Sequence, residues 1–253
     1  MTQTNENQTI SEWIDRMLTR RGLKSPDGRQ LYKYRITNDE FNDLENFLRQ
    51  YVTIGQSYLG LSGLAKRPAF SGLFVLYGAE WWRRRYDGSG FTWEGILRDL
   101  GANAAEWNQG QRSECVKTGL RAWNLRTLEG SGFRFLGSVA LQGGLPMKPL
   151  AQARGSIGQL LGRVLRAANN RLVDPIDIQN WIEDLQSWLP KSYRRAEIYI
   201  LLADIAWTVL TLKQKAGLRV GTDAIARLDA LIPDWRNQFP LPIEDNQARH
   251  LIE

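Results

Sequence analysis

Apolar residues recur with the spacing of an α-helix along most of this chain, and that periodicity constrains its fold more than any other feature. The clearest stripe lies between Ser156 and Asn170 and consists of Ile157, Leu160, Leu161, Val164, Leu165 and Ala168. A second segment, Ala69 to Tyr86, is apolar on almost every side between Leu73 and Tyr77, which is typical of a central helix. No segment combines the alternation of a strand with hairpin turns. The pattern therefore predicts an all-α protein.

Residues that begin and end helices are also frequent. Thr9–Glu12 and Thr37–Glu40 have the spacing of a capping box, and Asp174-Pro175 is a typical helix start. Together with the periodic segments, these signals predict an irregular globular module of roughly nine or ten helices. Two short stretches, Leu31–Ile36 and Phe133–Leu141, leave a strand open as an alternative to a helix.

The length of 253 residues is enough to bury a sizeable core. We expect a single mainly helical domain over residues 1–253, with two lobes meeting near residues 125–150 as the alternative. The final residues, Asn246 to Glu253, resemble the start of a helix that is cut short. This ending suggests that the chain is the N-terminal fragment of a longer protein.

The composition argues against several classes of protein. The N-terminus lacks the basic and apolar regions of a signal peptide, and the longest apolar stretch, Ile198–Leu212, contains Asp204. We therefore expect a cytoplasmic protein that does not insert into a membrane. Cys115 and His250 are the only residues of their types, so neither a disulfide nor a Cys/His zinc site is expected.

Catalytic motifs are missing as well. The sequence has no phosphate-binding loop and no nucleophilic serine motif, and Cys115 has no neighbouring histidine. Glu80 and Asp204 lie in apolar helices, where the simplest interpretation is two buried acids, each paired with arginine. We predict that the protein is not an enzyme and needs no metal or other cofactor.

Basic residues are concentrated in one part of the chain. Residues 112–171 contain ten basic and only two acidic residues, although the whole chain carries a net charge of only +6. Surfaces of this kind bind the phosphates of nucleic acids. The alternative is a set of ordinary solvated helix faces. The predicted nucleic-acid contacts, with DNA the favoured ligand, are Arg112, Lys117, Arg121, Arg126, Arg134, Arg154, Arg163, Arg166 and Arg171.

A run of aromatic and basic residues, from Glu80 to Tyr86, provides a secondary candidate site at Arg83, Arg84 and Arg85. Alternating aromatic rings and arginines can stack on bases and hold phosphates. The structural alternative is that Arg83 or Arg84 pairs with Glu80, three or four residues earlier on the same helix.

Several motifs in this chain are similar to those of a known family: LKSPDG at 23–28, LYGAEWWR at 76–83, FTWE at 91–94, LGS at 136–138 and GGLP at 143–146. They resemble the N-terminal region of large bacterial defence-island proteins of the Druantia type, which are encoded beside a long superfamily-2 helicase. The resemblance implies an N-terminal module of an anti-phage defence protein, and it assigns no catalytic residue. It also implies a partner, either the helicase, another defence-system protein or the rest of the same chain, so that a protein-interaction scaffold is the alternative to nucleic-acid binding.

Overall fold

The structure, a computed structural model, describes residues 3–58, 60–89, 92–128, 134–151, 156–168, 173–218 and 223–252. Side chains are described for all of these residues except 3–9, 54–58, 60–62, 134 and 192. Over these ranges the chain forms α-helices and short 3-10 helices and no strand. It divides into two compact units: unit 1 is Met1–Arg83 with Gly90–Gly143, and unit 2 is Arg84–Ser89 with Gly144–Glu253.

Unit 1 contains the helices from the N-terminus to residue 143. They are α1 (Gln3–Thr19), α2 (Asn38–Tyr58), α3 (Gly60–Ala65), α4 (Pro68–Arg85, through Arg83), α5 (Trp93–Asp99), α6 (Gln109–Ala122) and α7 (Arg134–Gly143). Two 3-10 helices, Leu31–Tyr34 and Ala104–Glu106, lie between them. The Thr37–Glu40 capping box is confirmed: the amide of Glu40 donates to Thr37 Oγ1 over 3.1 Å, and the amide of Thr37 donates to Glu40 Oε2 over 3.0 Å.

Helix α4 forms the centre of unit 1, as its apolar character predicts. Every residue from Phe70 to Glu80 is buried. Helix α6 approaches α4 closely because Gly119 has no side chain, and a Cβ built there would lie only 2.2 Å from the carbonyl oxygen of Ser71. Trp123, at the end of α6, is buried and donates from Nε1 to the carbonyl oxygen of Gly72 over 2.9 Å. The core of unit 1 is thus built by packing helices directly against the α4 backbone.

Unit 2 contains the remaining helices. They are α8 (Met147–Ala151), α9 (Ser156–Ala168), α10 (Pro175–Asp184), α11 (Ala196–Ala216), α12 (Ala224–Leu231), α13 (Trp235–Gln238) and α14 (Asp245–Ile252). Helix α11 lies at the centre and packs against α9, α10, α12 and α14, while α8 packs against α9 and α14. Asp174 caps α10 as predicted, because its carboxylate accepts from the amides of Ile176 and Asp177.

Four sequence predictions need correction. The described residues contain fourteen α-helices, more than the nine or ten expected, because breaks at glycine and proline leave several helices of only four to eight residues. Both proposed strand alternatives are helical: Leu31–Tyr34 is a 3-10 helix and Arg134–Gly143 is α7. Helix α1 begins at Gln3 and runs through Thr9, so the first capping box does not start it.

The fourth correction concerns Asp204, which is exposed. The α11 helix is apolar enough to look fully buried, but one of its faces is exposed. Ile200 and Trp207, on the same face as Asp204, remain 46% and 39% exposed. In contrast, Glu80 is fully buried beside Arg83, as the sequence predicts.

Candidate functional site: a basic cleft in unit 2

A cleft of about 710 Å³ opens in unit 2 between α8, α9, α11 and α14. Its described lining contains glycines, apolar side chains, the amide of Gln159 and four basic side chains: Arg163, Arg166, Lys213 and His250. We refer to this feature as the basic cleft. It has the volume of a small-ligand site, for which roughly 300–1,000 Å³ is usual.

Two of the four basic residues come from α9. The apolar stripe of this helix is packed into unit 2, with Ile157, Leu160, Leu161, Val164 and Ala168 all buried. Arg163 and Arg166 lie three residues apart on the other side of the helix and are exposed. Local sequence therefore decides that these two guanidinium groups point away from the core.

The guanidinium of Arg163 is held in place by stacking. Its central carbon lies 3.9 Å from the centre of the Trp188 ring, in the 3-10 helix Gln186–Trp188. A stacked guanidinium still presents its N–H groups at its edges, where a carboxylate or phosphate can accept them. Trp188 therefore orients Arg163 while leaving its hydrogen-bond donors available.

Arg166 lies back against its own helix. A Cβ built on Gly162 would be 3.4 Å from Nη1 of Arg166, so the missing side chain leaves space for the guanidinium beside the helix backbone. Both Gly162 and Gly158, one turn earlier, belong to the cleft lining. Glycine inside a helix costs about 0.5–1 kcal/mol relative to alanine, and here the two glycines widen the cleft.

The opposite wall contributes Lys213 from α11 and His250 from α14. Lys213 Nζ donates to the carbonyl oxygen of Ile252 over 3.1 Å, which ties the end of α14 to α11. An ammonium group has three donors, so two remain for a ligand. His250 lies on α14 and is exposed.

The charge of the basic cleft has one sign. The described residues that line it include no carboxylate, and within the described part of the chain neither Arg163 nor Arg166 makes an ion pair. Cations arranged in this way around a concave space attract an anion and can donate several charge-assisted hydrogen bonds to it. A phosphate group, with several acceptor oxygens, matches such a site.

The other predicted contacts of residues 112–171 are distributed differently. Arg112 is half-buried and donates to the carbonyl oxygens of Trp107 and Ala104, so it stabilises the segment before α6. Lys117 lies 5.6 Å from the centre of the Phe135 ring. Arg121 and Arg126 are exposed, and neither side chain makes a hydrogen bond or ion pair with other described residues.

The remaining predicted contacts cannot be placed. Arg154 and Arg171 lie outside the described residues, and Arg134 begins α7 with a side chain that is not described. Among the nine predicted contacts, the structure therefore brings Arg163 and Arg166 together in the basic cleft and places four residues in unit 1, on or just after α6: Arg112, Lys117, Arg121 and Arg126.

The secondary candidate site loses its first residue. Arg83 is only 3% exposed and pairs with the fully buried Glu80 through Nη2 and Oε2 at 2.5 Å, so it cannot reach a surface ligand. The spacing of three residues between Glu80 and Arg83 allows this ion pair, which is the structural alternative to a nucleic-acid site. Arg84 and Arg85 are half-buried and engaged with other groups.

Sequence reasoning missed Trp188, Lys213 and His250 as members of a site. They belong to three separate segments that only the tertiary fold brings to α9, and none has a motif around it. The two glycines of α9 could have indicated the site, because glycine inside a strongly amphipathic helix lowers the stability of the helix and usually has a packing or functional role.

Other candidate chemistry gains no support from the described residues. No group of three or more His, Cys, Asp or Glu side chains in the described ranges is arranged to hold a metal ion. Cys115 is buried, and burial raises the pKa of its thiol to about 12, so that it is not a reactive nucleophile. In the described parts of the chain, none of the helices has the length and apolar character needed to span a membrane.

Comparison with known proteins identifies the family. The YjiT N-terminal domain matches residues 2–145, and the YjiT second domain matches residues 152–253. Protein YjiT of Escherichia coli (strain K12) is 28% identical over 249 residues, which cover 96% of this chain and 46% of that relative. The chain thus spans about half the length of the curated relative. No solved structure matches it. Because these two domains account for nearly the whole chain, it belongs to the YjiT family.

Proposed function

We propose that this chain is a non-catalytic module that binds nucleic acid, DNA in the first instance, through basic surfaces on both units. The observation that carries the proposal is the basic cleft, where Arg163 and Arg166 make no ion pair with other described residues and the described lining has no carboxylate. Phosphate binding releases counterions from nucleic acid, so surfaces of this kind bind at low salt irrespective of base sequence.

The same proposal places the chain in a bacterial anti-phage defence protein of the cytoplasm, acting beside a superfamily-2 helicase. This part is supported by the motif resemblance described above. The module then supplies nucleic-acid contacts, and the chemistry belongs to its partner. Absence of a recognisable catalytic motif in the sequence supports a non-enzymatic role.

The test is fluorescence anisotropy with a labelled duplex and a labelled single strand at several salt concentrations. The double variant Arg163→Gln/Arg166→Gln should bind more weakly, with a log–log salt slope smaller by roughly one unit per lost contact. Arg121→Gln/Arg126→Gln measures the contribution of unit 1 in the same way. The proposal fails if the wild type binds neither probe at low salt.

A matched control removes the same amount of charge elsewhere. Arg16 and Arg98 are exposed in unit 1, on α1 and α5, and lie outside the predicted contacts. Arg16→Gln/Arg98→Gln should leave the salt slope nearly unchanged. An equal decrease in both double variants would mean that net charge alone causes binding, without a site.

The exposed face of α11 favours a second function, a protein-interaction scaffold. Ile200 and Trp207, seven residues apart on one face, are unusually exposed for large apolar side chains. A helicase or the rest of the chain would bind there by burying apolar surface, which salt affects little. Ile200→Ser/Trp207→Ser should weaken such a complex, measured by analytical ultracentrifugation, and leave nucleic-acid binding intact.

A further inference from the structure

The basic cleft contains more than a phosphate contact requires. Beside the basic groups, its lining includes two half-buried apolar side chains, Leu165 of α9 and Leu210 of α11. Contacts to the backbone of a duplex need exposed charge, and neither an enclosed volume nor an apolar wall is required for them. A concave space with apolar walls and a few positioned polar groups is the usual form of a small-ligand site.

The sequence of α9 leaves space in the cleft at a cost in helix stability. Gly158 and Gly162 lie one turn apart on α9, and both line the cleft. Larger residues at these positions would strengthen the helix. At position 162, however, a side chain would meet the Arg166 guanidinium, because a Cβ built there lies 3.4 Å from Nη1. The glycines therefore favour an interpretation in which the space itself is used.

Two of the cations in the basic cleft are held in position before a ligand binds. Stacking on Trp188 restricts the Arg163 guanidinium before a ligand arrives, so less conformational entropy is lost on binding. Lys213 is restrained in a similar way by its hydrogen bond to the carbonyl of Ile252. Arg166 completes a set of three cations around one concave space.

We propose that the basic cleft binds one nucleoside phosphate. The phosphate accepts hydrogen bonds from Arg163, Arg166 and Lys213, and the base lies on the apolar wall of Leu165 and Leu210. The inference deepens the proposed function, on which it rests, by naming the ligand of this site. The same chemistry has two sources, a free mononucleotide or the phosphorylated end of a nucleic-acid strand.

Calorimetric titrations with AMP and with inorganic phosphate test the ligand class. AMP should bind the wild type more tightly than phosphate, because only AMP also uses the apolar wall. Arg163→Gln should weaken AMP binding about 10- to 100-fold, the range expected for lost charge-assisted hydrogen bonds. Equal affinity for AMP and phosphate would overturn the proposal.

A pair of variants at Gly162 tests the cavity. Gly162→Leu fills it and should weaken AMP binding by at least about tenfold, whereas Gly162→Ala adds one methyl group that the flexible end of Arg166 can accommodate. Thermal unfolding checks that both variants fold. As a second route, Leu165→Ala/Leu210→Ala should lower the preference for AMP over phosphate. If AMP binds equally well to all of these variants, the cleft is not its site and the proposal is wrong.

Oligonucleotides distinguish the two sources. A short single strand with a 5′-phosphate that competes with AMP, while its 5′-hydroxyl twin competes poorly, identifies a strand end as the ligand. If neither oligonucleotide displaces AMP, the ligand is a free nucleotide. The proposed function can fail independently of this inference, because it requires that a duplex or a single strand binds through its internal phosphates. Nucleic-acid binding that AMP does not displace and Gly162→Leu does not weaken would contradict this inference while leaving the proposed function in place.

Discussion

The buried and turn arginines of unit 1 and the arginines of the basic cleft in unit 2 are used in opposite ways. In unit 1, the arginines of the interior and of the turns are satisfied within the protein: Arg83 pairs with Glu80, Arg21 pairs with Glu40, and Arg112 donates to loop carbonyls. In unit 2, Arg163 and Arg166 face a concave space whose described lining has no carboxylate. A count of positive charges along a sequence therefore does not measure a binding surface.

The physical reason is the cost of burying charge. A buried guanidinium needs an acid or several carbonyl oxygens nearby, and the fold must provide them. An exposed guanidinium needs no partner, so its hydrogen-bond donors remain available to a ligand. We therefore expect substitutions of the paired arginines in unit 1 to change stability and those at the basic cleft to change binding.

The largest effect is expected at the buried pair of unit 1. Arg83→Met leaves the carboxylate of Glu80 buried without this partner and should lower the free energy of unfolding by about 3–5 kcal/mol. Urea denaturation measures the loss, with Arg98→Met on the exposed face of α5 as the control. The double variant Glu80→Leu/Arg83→Met should recover part of it. A loss below about 1 kcal/mol for Arg83→Met would contradict the contrast between the units.

A smaller, pH-dependent effect is expected at Glu40. Burial alone would raise the pKa of its carboxyl, but hydrogen bonds from Arg21 and from the Thr37 amide outweigh burial and lower it. Because the folded-state pKa lies below the unfolded one, ionised Glu40 stabilises the protein above the ordinary glutamate pKa of about 4.3, and this contribution is lost as the pH falls through the folded-state value.

Accordingly, Glu40→Gln should cost about 2 kcal/mol near neutral pH, as expected for hydrogen bonds to a charged group. The difference from the wild type should shrink in acid. Denaturant titrations at neutral and acidic pH measure it, and Glu12→Gln on the exposed side of α1 serves as the control. A difference that is the same at both pH values would show that the charge of Glu40 contributes nothing.

Unit 2 has an ion-pair cluster that should matter less. Hydrogen bonds from Arg236 and from Trp235 Nε1 lower the pKa of Asp229, but all of these charges are at the surface. Asp229→Asn should therefore reduce the melting temperature only slightly, and the reduction should disappear at high salt, which screens exposed charges. A large, salt-independent reduction would mean that unit 2 depends on internal ion pairs as unit 1 does.

The smallest effect on stability is expected at the basic cleft itself. Arg163→Gln/Arg166→Gln removes one stacking contact with Trp188 and otherwise changes exposed groups, so the loss should stay within about 1 kcal/mol. Thermal and urea unfolding of the full chain measure it. A loss as large as that of Arg83→Met would place these arginines among the structural charges and remove the distinction between the units.

Much of the fold could be predicted because its signals are local. The Thr37–Glu40 capping box forms as its spacing indicates, since both partners lie within one helical turn, and α10 starts at Asp174-Pro175 as predicted. The stripe of α9 and the central position of α4 follow from helical periodicity. Short helices, such as α13 with four residues, were missed because periodicity needs several turns to become visible.

Less of the candidate site could be predicted. The exposure of Arg163 and Arg166 follows from the stripe on the other side of α9, so their membership of a surface is a local property. Lys213 and His250 join them only because α11 and α14 pack near α9, across long stretches of sequence. Conversely, Arg83 carries the same charge and lies in a run of aromatic and basic residues that is typical of a nucleic-acid site, yet the fold buries it.

Local sequence was sufficient to predict the helical class, the starts of α2 and α10, the central apolar helix of unit 1 and the outward direction of the α9 arginines. These properties depend on hydrogen bonds and side-chain spacing within one or two turns. Only the tertiary structure decided which charges are paired, which face of α11 stays exposed and which cations share a cleft. Those outcomes depend on the packing of helices distant in sequence, because burial and electrostatic partners are properties of the assembled core.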